Sequence, residues 1–110
     1  MPEPNAALEP IIEELVRRIV AAVQPKRIIL FGSAARGQMH RDSDLDVLVI
    51  MPDTVHRRET ARQIYRALRR LGAPKDVIVV TESDVARFAH ESSLVIHPAL
   101  AEGKEIYRAT

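Results

Sequence analysis

Two neighbouring stretches decide the fold of this 110-residue chain: residues 30–37 read LFGSAARG, and residues 43–49 read SDLDVLV. The first stretch predicts a buried strand that stops at a glycine, followed by a serine at the start of a short helix. The second predicts a strand that begins with two aspartates. Because side chains alternate along a strand, Asp44 and Asp46 are expected on the same face, ~6.6 Å apart along the chain.

This pair of aspartates is the strongest chemical signal in the sequence. Two parallel carboxylates suit a hard, oxygen-seeking cation such as Mg²⁺, and together with a third carboxylate they can hold two cations. Unpaired acids beside apolar strand residues cost stability through repulsion and desolvation, and strands disfavour aspartate. The alternative interpretation is a solvated strand end.

The corner formed by Gly32 and Ser33 suits phosphate binding. Backbone N–H groups and a hydroxyl at the start of a helix can bind phosphate oxygens, and glycine lets the backbone approach them closely. The alternative is an ordinary serine that caps a helix. The sequence contains neither the glycine-lysine phosphate loop nor the three-glycine dinucleotide motif, which argues against kinase-type and dinucleotide-binding functions.

Hydrophobic periodicity around these stretches predicts alternating helices and strands. The predicted helices are 9–23, 33–36, about 54–71, 84–90 and 92–100, and the predicted strands are 26–31, 45–51, 76–80 and 104–107. Only ~12 residues connect the first two strands, near the lower limit for a parallel crossover. We therefore expect an α/β (α+β) fold in which a small mixed sheet of about four strands is flanked by helices.

Composition restricts the class of protein further. Hydrophobic residues make up 46% and charged residues 28%, as in ordinary soluble proteins, and no apolar run approaches the ~18 residues of a membrane span. The chain has no cysteine, which excludes disulfides, a thiol nucleophile and cysteine-ligated metals. We expect a cytoplasmic protein forming a single domain over residues 1–110, with residues 1–7 as a flexible tail.

The spacing between the Gly-Ser corner and the aspartate pair resembles a known family signature. Gly32-Ser33, ten intervening residues and Asp44-x-Asp46 resemble the signature of the DNA polymerase β-like nucleotidyltransferase superfamily. The short chain and the form Gly-Ser-Ala-Ala-Arg-Gly are similar to the minimal nucleotidyltransferases, or MNT proteins. The predicted order of elements fits the core of that family, so the resemblance covers nearly the whole chain.

The resemblance implies a third carboxylate, on a later strand beside the aspartate pair. Asp76, which opens Asp-Val-Ile-Val-Val, matches that position, although a solvated strand start is the alternative. By the resemblance, Asp44, Asp46 and Asp76 are the catalytic residues and the ligands of two Mg²⁺ ions, and ATP is the substrate. An acceptor hydroxyl attacks the α-phosphorus and pyrophosphate leaves.

The phosphate-binding residues follow from the same resemblance. Gly32 and Ser33 are implied to hold the β- and γ-phosphates of the nucleotide. Arg36 is a further candidate for phosphate binding, but it is equally suited to an ion pair with Asp42.

The resemblance also implies a partner. Minimal nucleotidyltransferases act with a HEPN-domain toxin, an all-helical ribonuclease, and serve as its antitoxin by moving AMP from ATP to one of its tyrosines. We therefore expect a protein adenylyltransferase in a hetero-oligomer with a HEPN toxin. Two alternatives remain: nucleotidyl transfer to a small-molecule hydroxyl, and a non-catalytic antitoxin that neutralises a HEPN partner by binding.

One helix face stays unassigned. The predicted helix 54–71 carries six arginines between Arg57 and Arg70, and Glu59 is the only acid in that interval. A solvated helix face, a docking surface for an acidic partner and contact with RNA phosphates are all compatible with this pattern. The net charge of +1 and the scarcity of aromatic residues do not favour nucleic-acid binding.

Overall fold

The computed structural model of the protein describes residues 9–32, 44–88 and 96–110, which contain four helices and four strands. The helices are α1 (Glu9–Val23), α2 (Arg57–Ala67), α3 (Glu82–Phe88) and α4 (Ile96–Glu102), and the strands are β1 (Arg27–Phe31), β2 (Leu45–Met51), β3 (Lys75–Thr81) and β4 (Lys104–Arg108). The predicted tail 1–7 and the predicted short helix 33–36 lie outside the described residues. None of the helices in the described ranges is long and apolar enough to cross a membrane.

The four strands form one sheet in the order β3-β2-β1-β4. Strand β1 runs antiparallel to both β2 and β4, whereas β2 and β3 are parallel. The short connection between β1 and β2 reverses the chain, and the longer connection through α2 makes the parallel crossover. The predicted mixed sheet flanked by helices is therefore confirmed.

Each face of the sheet has its own apolar core. One face of the sheet is covered by α1, through Leu15 and Ile19, and by α2, through Ile64 and the C-cap residue Leu68. On the other face, Ala99 of α4 is fully buried in a smaller cluster. The sheet is thus the middle layer of three, and every strand that contributes to both cores must be apolar on both sides.

Strand β2 is the central case of this burial. Val47 and Val49 belong to the α1/α2 core, whereas Leu48 and Ile50 belong to the α3/α4 core. Alternation along the strand therefore places Asp46 on the α3/α4 face, in line with Leu48 and Ile50. Asp46 is the one charged residue within β2.

Helix α2 begins later than predicted. The sequence suggested a cap at Asp53 or Thr54, but the helix starts at Arg57 with His56 as its N-cap, whose Nδ1 accepts the N–H of Glu59 at 3.4 Å. Asp53 is engaged elsewhere, because its carboxylate accepts hydrogen bonds from the backbone N–H (2.9 Å) and the hydroxyl of Ser83 at the start of α3. A tertiary contact has overridden the local capping preference.

The end of α2 also differs from the prediction, since the helix stops at Ala67 and not near Leu71. The guanidinium of Arg18, on α1, donates hydrogen bonds to the carbonyls of Arg69 at 2.9 Å and Ala67 at 3.4 Å. These carbonyls lie at the C-terminal end of the helix, where a cation is stabilising. The neighbouring helix therefore helps to determine where α2 ends.

Glu105 joins the two antiparallel strands at one edge of the sheet. It accepts hydrogen bonds from Arg108 at 2.7 Å and from Arg27 of β1 at 2.9 Å. These hydrogen bonds, from Arg108 first and Arg27 second, lower the pKa of Glu105 from 4.5 to about 2. A carboxyl whose pKa is lower in the folded state than in the unfolded state stabilises the fold at any pH above the unfolded-state pKa. This stabilisation is lost as the pH falls toward and through the folded-state pKa.

We therefore expect Glu105→Gln to be destabilising at neutral pH and to have progressively less effect between pH 4.5 and about 2. The measurement is urea unfolding across that pH range. Glu13→Gln is the matched control, because Glu13 is exposed on α1 and forms no ion pair within the described part of the chain. An equal effect of Glu105→Gln at every pH would contradict the assignment.

Candidate active site

Two of the predicted site residues are cross-strand neighbours. Asp46 of β2 pairs in register with Asp76 of β3. The N–H of Leu45 donates to the carbonyl of Pro74 at 2.9 Å, which holds the two strands together at the end where they begin. Adjacent strands lie ~4.8 Å apart, and residues in register project to the same face. The two carboxylates therefore lie side by side on the α3/α4 face.

Asp44 lies directly before β2 and is exposed. It precedes Asp46 by two residues, so the strand alternation continues toward it and predicts the same face. Asp46 is half-buried and Asp76 is exposed. All three acids thus lie at the same end of the parallel strand pair, and Asp46 is the least exposed of them.

Gly32 completes this end of the sheet from the other side. Phe31, the last residue of β1, pairs with Asp46, and Gly32 follows it with φ +72°. A Cβ atom at residue 32 would overlap Oδ2 of Asp46 and would lie 3.2 Å from its Cγ. Glycine is required here both by the left-handed backbone and by the closeness of the carboxylate.

The remaining predicted phosphate-binding residues fall in a segment that is not described. Ser33 and Arg36 both lie outside the described residues, as does Asp42, the alternative partner of Arg36. Their predicted roles stay predictions. Of the Gly-Ser corner, only Gly32 has a described position.

The donor chemistry fits Mg²⁺, which prefers carboxylate oxygens. Within the described ranges, no three histidine, cysteine or acidic residues gather closely enough to form a metal cluster. Mg²⁺ is commonly bound by one or two carboxylates together with substrate phosphates and water, so a complete cage of protein ligands is not needed. Asp46 and Asp76, with Asp44 beside them, suit a metal that arrives with a nucleotide.

Tyr65 is a residue near this site that the sequence did not identify. Its hydroxyl accepts the backbone N–H of Val77 at 2.8 Å and lies 3.5 Å from Oδ1 of Asp76. Among the strands of the described ranges, β3 lies at the edge of the sheet, so the outward N–H of Val77 bonds to Tyr65 and not to another strand. Tyr65 reaches this edge from α2. Its position next to the buried Ile64 was visible in the sequence, but which strand edge it meets depends on the topology.

The four-stranded mixed sheet flanked by helices matches the polymerase β-like nucleotidyltransferase fold. A family model described as a nucleotidyltransferase domain matches residues 11–99. The chain belongs to this nucleotidyltransferase family.

Solved structures show the same fold. A candidate nucleotidyltransferase from Sulfolobus solfataricus superposes with a TM-score of 0.66 at 18% identity, over 94% of this chain and 83% of that chain. A toxin–antitoxin structure with AMP-PNP gives a TM-score of 0.60 at 23% identity, over 90% of this chain and 74% of that chain. No curated protein matches the sequence.

A third solved structure shows the same fold. It is an MntA-HpeT toxin–antitoxin mutant, and it has a TM-score of 0.61 at 20% identity over 90% of this chain and 74% of that chain. At these identities the structural likeness concerns the fold.

Proposed function

We propose that this protein is a Mg²⁺-dependent protein adenylyltransferase that moves AMP from ATP to a tyrosine hydroxyl of a HEPN-domain toxin and thereby acts as its antitoxin. The observation that carries the proposal is the row across the end of the sheet, where Gly32, Asp46 and Asp76 are adjacent. Asp44, two residues before Asp46, supplies the third carboxylate. The resemblance of this motif to the minimal nucleotidyltransferases supports the choice of acceptor.

The roles of the three acids follow from their positions. Asp44 and Asp46 would hold Mg²⁺ against the triphosphate, and Asp76 would share in holding a second ion. When bound, these ions neutralise phosphate charge and stabilise the attacking and leaving oxygens. Asp76 is the more exposed of the paired acids, so an acceptor hydroxyl from another protein can approach it. By helping to hold the second ion, Asp76 would lower the pKa of that hydroxyl, and solvent would take up the proton.

The transfer itself is an in-line displacement. The acceptor oxygen forms a bond to the α-phosphorus, the bond from that phosphorus to the oxygen leading to the β-phosphate breaks, and pyrophosphate leaves. Gly32 contributes by bringing the backbone against the Asp46 carboxylate without a side chain in the way. In this mechanism Gly32 and Ser33 hold the β- and γ-phosphates, and Arg36 is a further candidate for neutralising phosphate charge. The protein therefore contributes mainly positioning and charge complementarity.

Support for a protein acceptor comes from the neighbours. Two of the superposed structures are described as toxin–antitoxin structures, and one of them contains AMP-PNP, an ATP analogue. A chain of this fold that receives its acceptor from outside needs an open approach to Asp76. Strand β3 lies at the edge of the sheet, which leaves that approach available beside α2.

The decisive experiment identifies a HEPN-domain reading frame in the adjacent gene and then incubates the protein with Mg²⁺, labelled ATP and that HEPN protein. We expect label on a tyrosine of the HEPN protein, loss of the label with Asp44→Asn, and recovery of cell growth when the two proteins are expressed together. Glu82→Gln is the control, because Glu82 is an exposed acid on α3 that is not part of the row. Mass spectrometry of the partner identifies the modified residue.

The other outcomes separate the alternatives. Label on an added aminoglycoside or other small alcohol, with none on the protein, would favour a small-molecule nucleotidyltransferase. Neutralisation of the HEPN protein that survives both Asp44→Asn and Asp46→Asn would favour an antitoxin that acts by binding. Either result would replace the proposed function.

Tyr65→Phe tests the contact beside Asp76. Removing the hydroxyl takes away the hydrogen bond to the N–H of Val77 and the contact with Asp76, so we expect about tenfold slower transfer with an unchanged KM for ATP. The stability cost should be about 0.5–1.5 kcal/mol. Tyr107→Phe, on β4, is the control and should transfer at the wild-type rate. A rate for Tyr65→Phe equal to that of the control would show that Tyr65 has no role in positioning Asp76.

A further inference from the structure

Helix α2 presents a continuous arginine surface. Arg58, Arg62, Arg66 and Arg69 are all exposed, and together with Ala61 and Tyr65 they line an open groove of about 400 Å³. Arg58, Arg62 and Arg66 are spaced four residues apart, which keeps them on one side of α2 over about 12 Å, and Arg69 follows just beyond the end of the helix. We call this feature, defined by those six residues, the arginine groove.

The arginines of the groove are largely unpaired within the described part of the chain. Arg62 lies 3.7 Å from Glu59 at an exposed position, and its side chain remains 68% accessible. Arg58, Arg66 and Arg69 form no side-chain ion pair or hydrogen bond with a described residue. In contrast, Arg17 and Arg18 of α1 are both paired with Glu14. The positive charge of the groove is therefore available to a ligand.

The groove leads to the candidate active site. Tyr65 lines the groove, and its hydroxyl lies 3.5 Å from Oδ1 of Asp76. Asp76 in turn pairs with Asp46. A molecule seated along α2 therefore reaches, at Tyr65, the carboxylate beside which the acceptor hydroxyl is proposed to react.

We propose that the arginine groove is the docking surface for an acidic segment of the protein acceptor, which it holds so that the acceptor hydroxyl meets Asp76. This inference rests on the proposed function, since it deepens the account of how the acceptor is recognised. Arginine binds carboxylates through two parallel hydrogen bonds, and it is enriched at protein interfaces. The groove also has the anatomy of such an interface, with Ala61 and the ring of Tyr65 inside and the charges around them.

The charge distribution favours an acidic polypeptide over RNA. The whole chain carries a net charge of only +1, so the arginine groove is a local cluster of positive charge on a nearly neutral chain. Nucleic-acid surfaces usually belong to strongly basic domains with positive charge over a wide area. A short groove with few charges matches a short acidic segment at close range.

The test compares two double variants with the same change in net charge. R62E/R66E reverses two exposed charges in the groove, and K26E/K104E reverses two exposed lysines outside it. A fluorescein-labelled poly-glutamate peptide is the probe, and its binding is followed by anisotropy at low and high salt. We expect R62E/R66E to weaken binding roughly tenfold or more, K26E/K104E to leave it nearly unchanged, and R62K/R66K to retain most of it. Circular dichroism confirms that each variant is folded.

A second probe and a second readout decide the remaining outcomes. Tight binding of labelled oligo-uridylate with no binding of poly-glutamate would replace the proposal with an RNA surface. Equal loss of peptide binding in both double variants would overturn it, because the effect would then follow net charge alone. In transfer assays on the HEPN protein, R62E/R66E should raise the KM for the acceptor and leave the KM for ATP unchanged.

The two proposals fail in distinguishable ways. If the wild-type protein labels no partner but binds the peptide through the groove, then the proposed function fails and the surface remains. If R62E/R66E binds the peptide and modifies the acceptor as the wild type does, then the groove is not a docking surface, while the transfer activity stands.

Discussion

Asp46→Asn is expected to reduce nucleotidyl transfer by at least ~10²–10³-fold without unfolding the protein. The substitution keeps the shape of the side chain and removes the charge that lies between Gly32 and Asp76 at the end of the sheet. An amide binds Mg²⁺ more weakly than a carboxylate does and cannot offset the charge of a metal–triphosphate complex.

The measurement combines two readouts. Single-turnover transfer from labelled ATP gives the loss of rate, and thermal unfolding with and without Mg²⁺ and ATP gives the loss of nucleotide-dependent stabilisation. Glu82→Gln, an exposed acid on α3, is the control and should resemble the wild type in both readouts. Transfer by Asp46→Asn at close to the wild-type rate would remove the basis of the proposed mechanism.

Gly32→Ala is expected to have the second large effect, about a hundredfold loss of transfer together with roughly 1–3 kcal/mol of lost stability. The backbone at Gly32 has φ +72°, which an alanine adopts only with strain. The added Cβ would also overlap Oδ2 of Asp46, so either the corner or the carboxylate must shift. A displacement of ~1 Å at a reacting group is enough to cost about 10²-fold in rate.

Gly72→Ala separates strain from displacement of the carboxylate. Gly72 also has a positive φ, +95°, but a Cβ atom there would meet nothing within 4 Å. Its substitution should therefore lower stability by a similar strain energy and leave transfer intact. If each glycine variant lost transfer activity in proportion to the stability that it lost, the closeness of Gly32 to Asp46 would have no functional role.

Much of the fold was predictable because local pattern and tertiary structure agree. The apolar spacing of residues 9–23 predicted α1 with the bounds that the structure shows, and the apolar run after Asp44 predicted β2. The mixed sheet followed from the short connection between β1 and β2, which is near the lower limit for a parallel crossover. These features depend on periodicity and chain length, which are properties of the sequence itself.

The ends of α2 were not predictable in the same way. Asp53 was a reasonable capping residue, but it bonds to Ser83, which is 30 positions away in the sequence. Likewise, Arg18 of α1 binds the carbonyls beyond the end of α2. In both cases a partner distant in sequence determined the boundary of the helix.

By itself the sequence determined the candidate chemistry of this protein: a glycine at a strand end and a pair of aspartates two residues apart, with family membership later supported by a match over residues 11–99. Only the tertiary structure decided that Asp76 lies beside Asp46, that Gly32 touches the same carboxylate, and that Tyr65 joins the arginine groove to this site. The physical reason is that strand register and helix packing depend on cores assembled from distant segments. A motif specifies which groups are present, whereas burial of the two apolar faces of the sheet specifies where they meet.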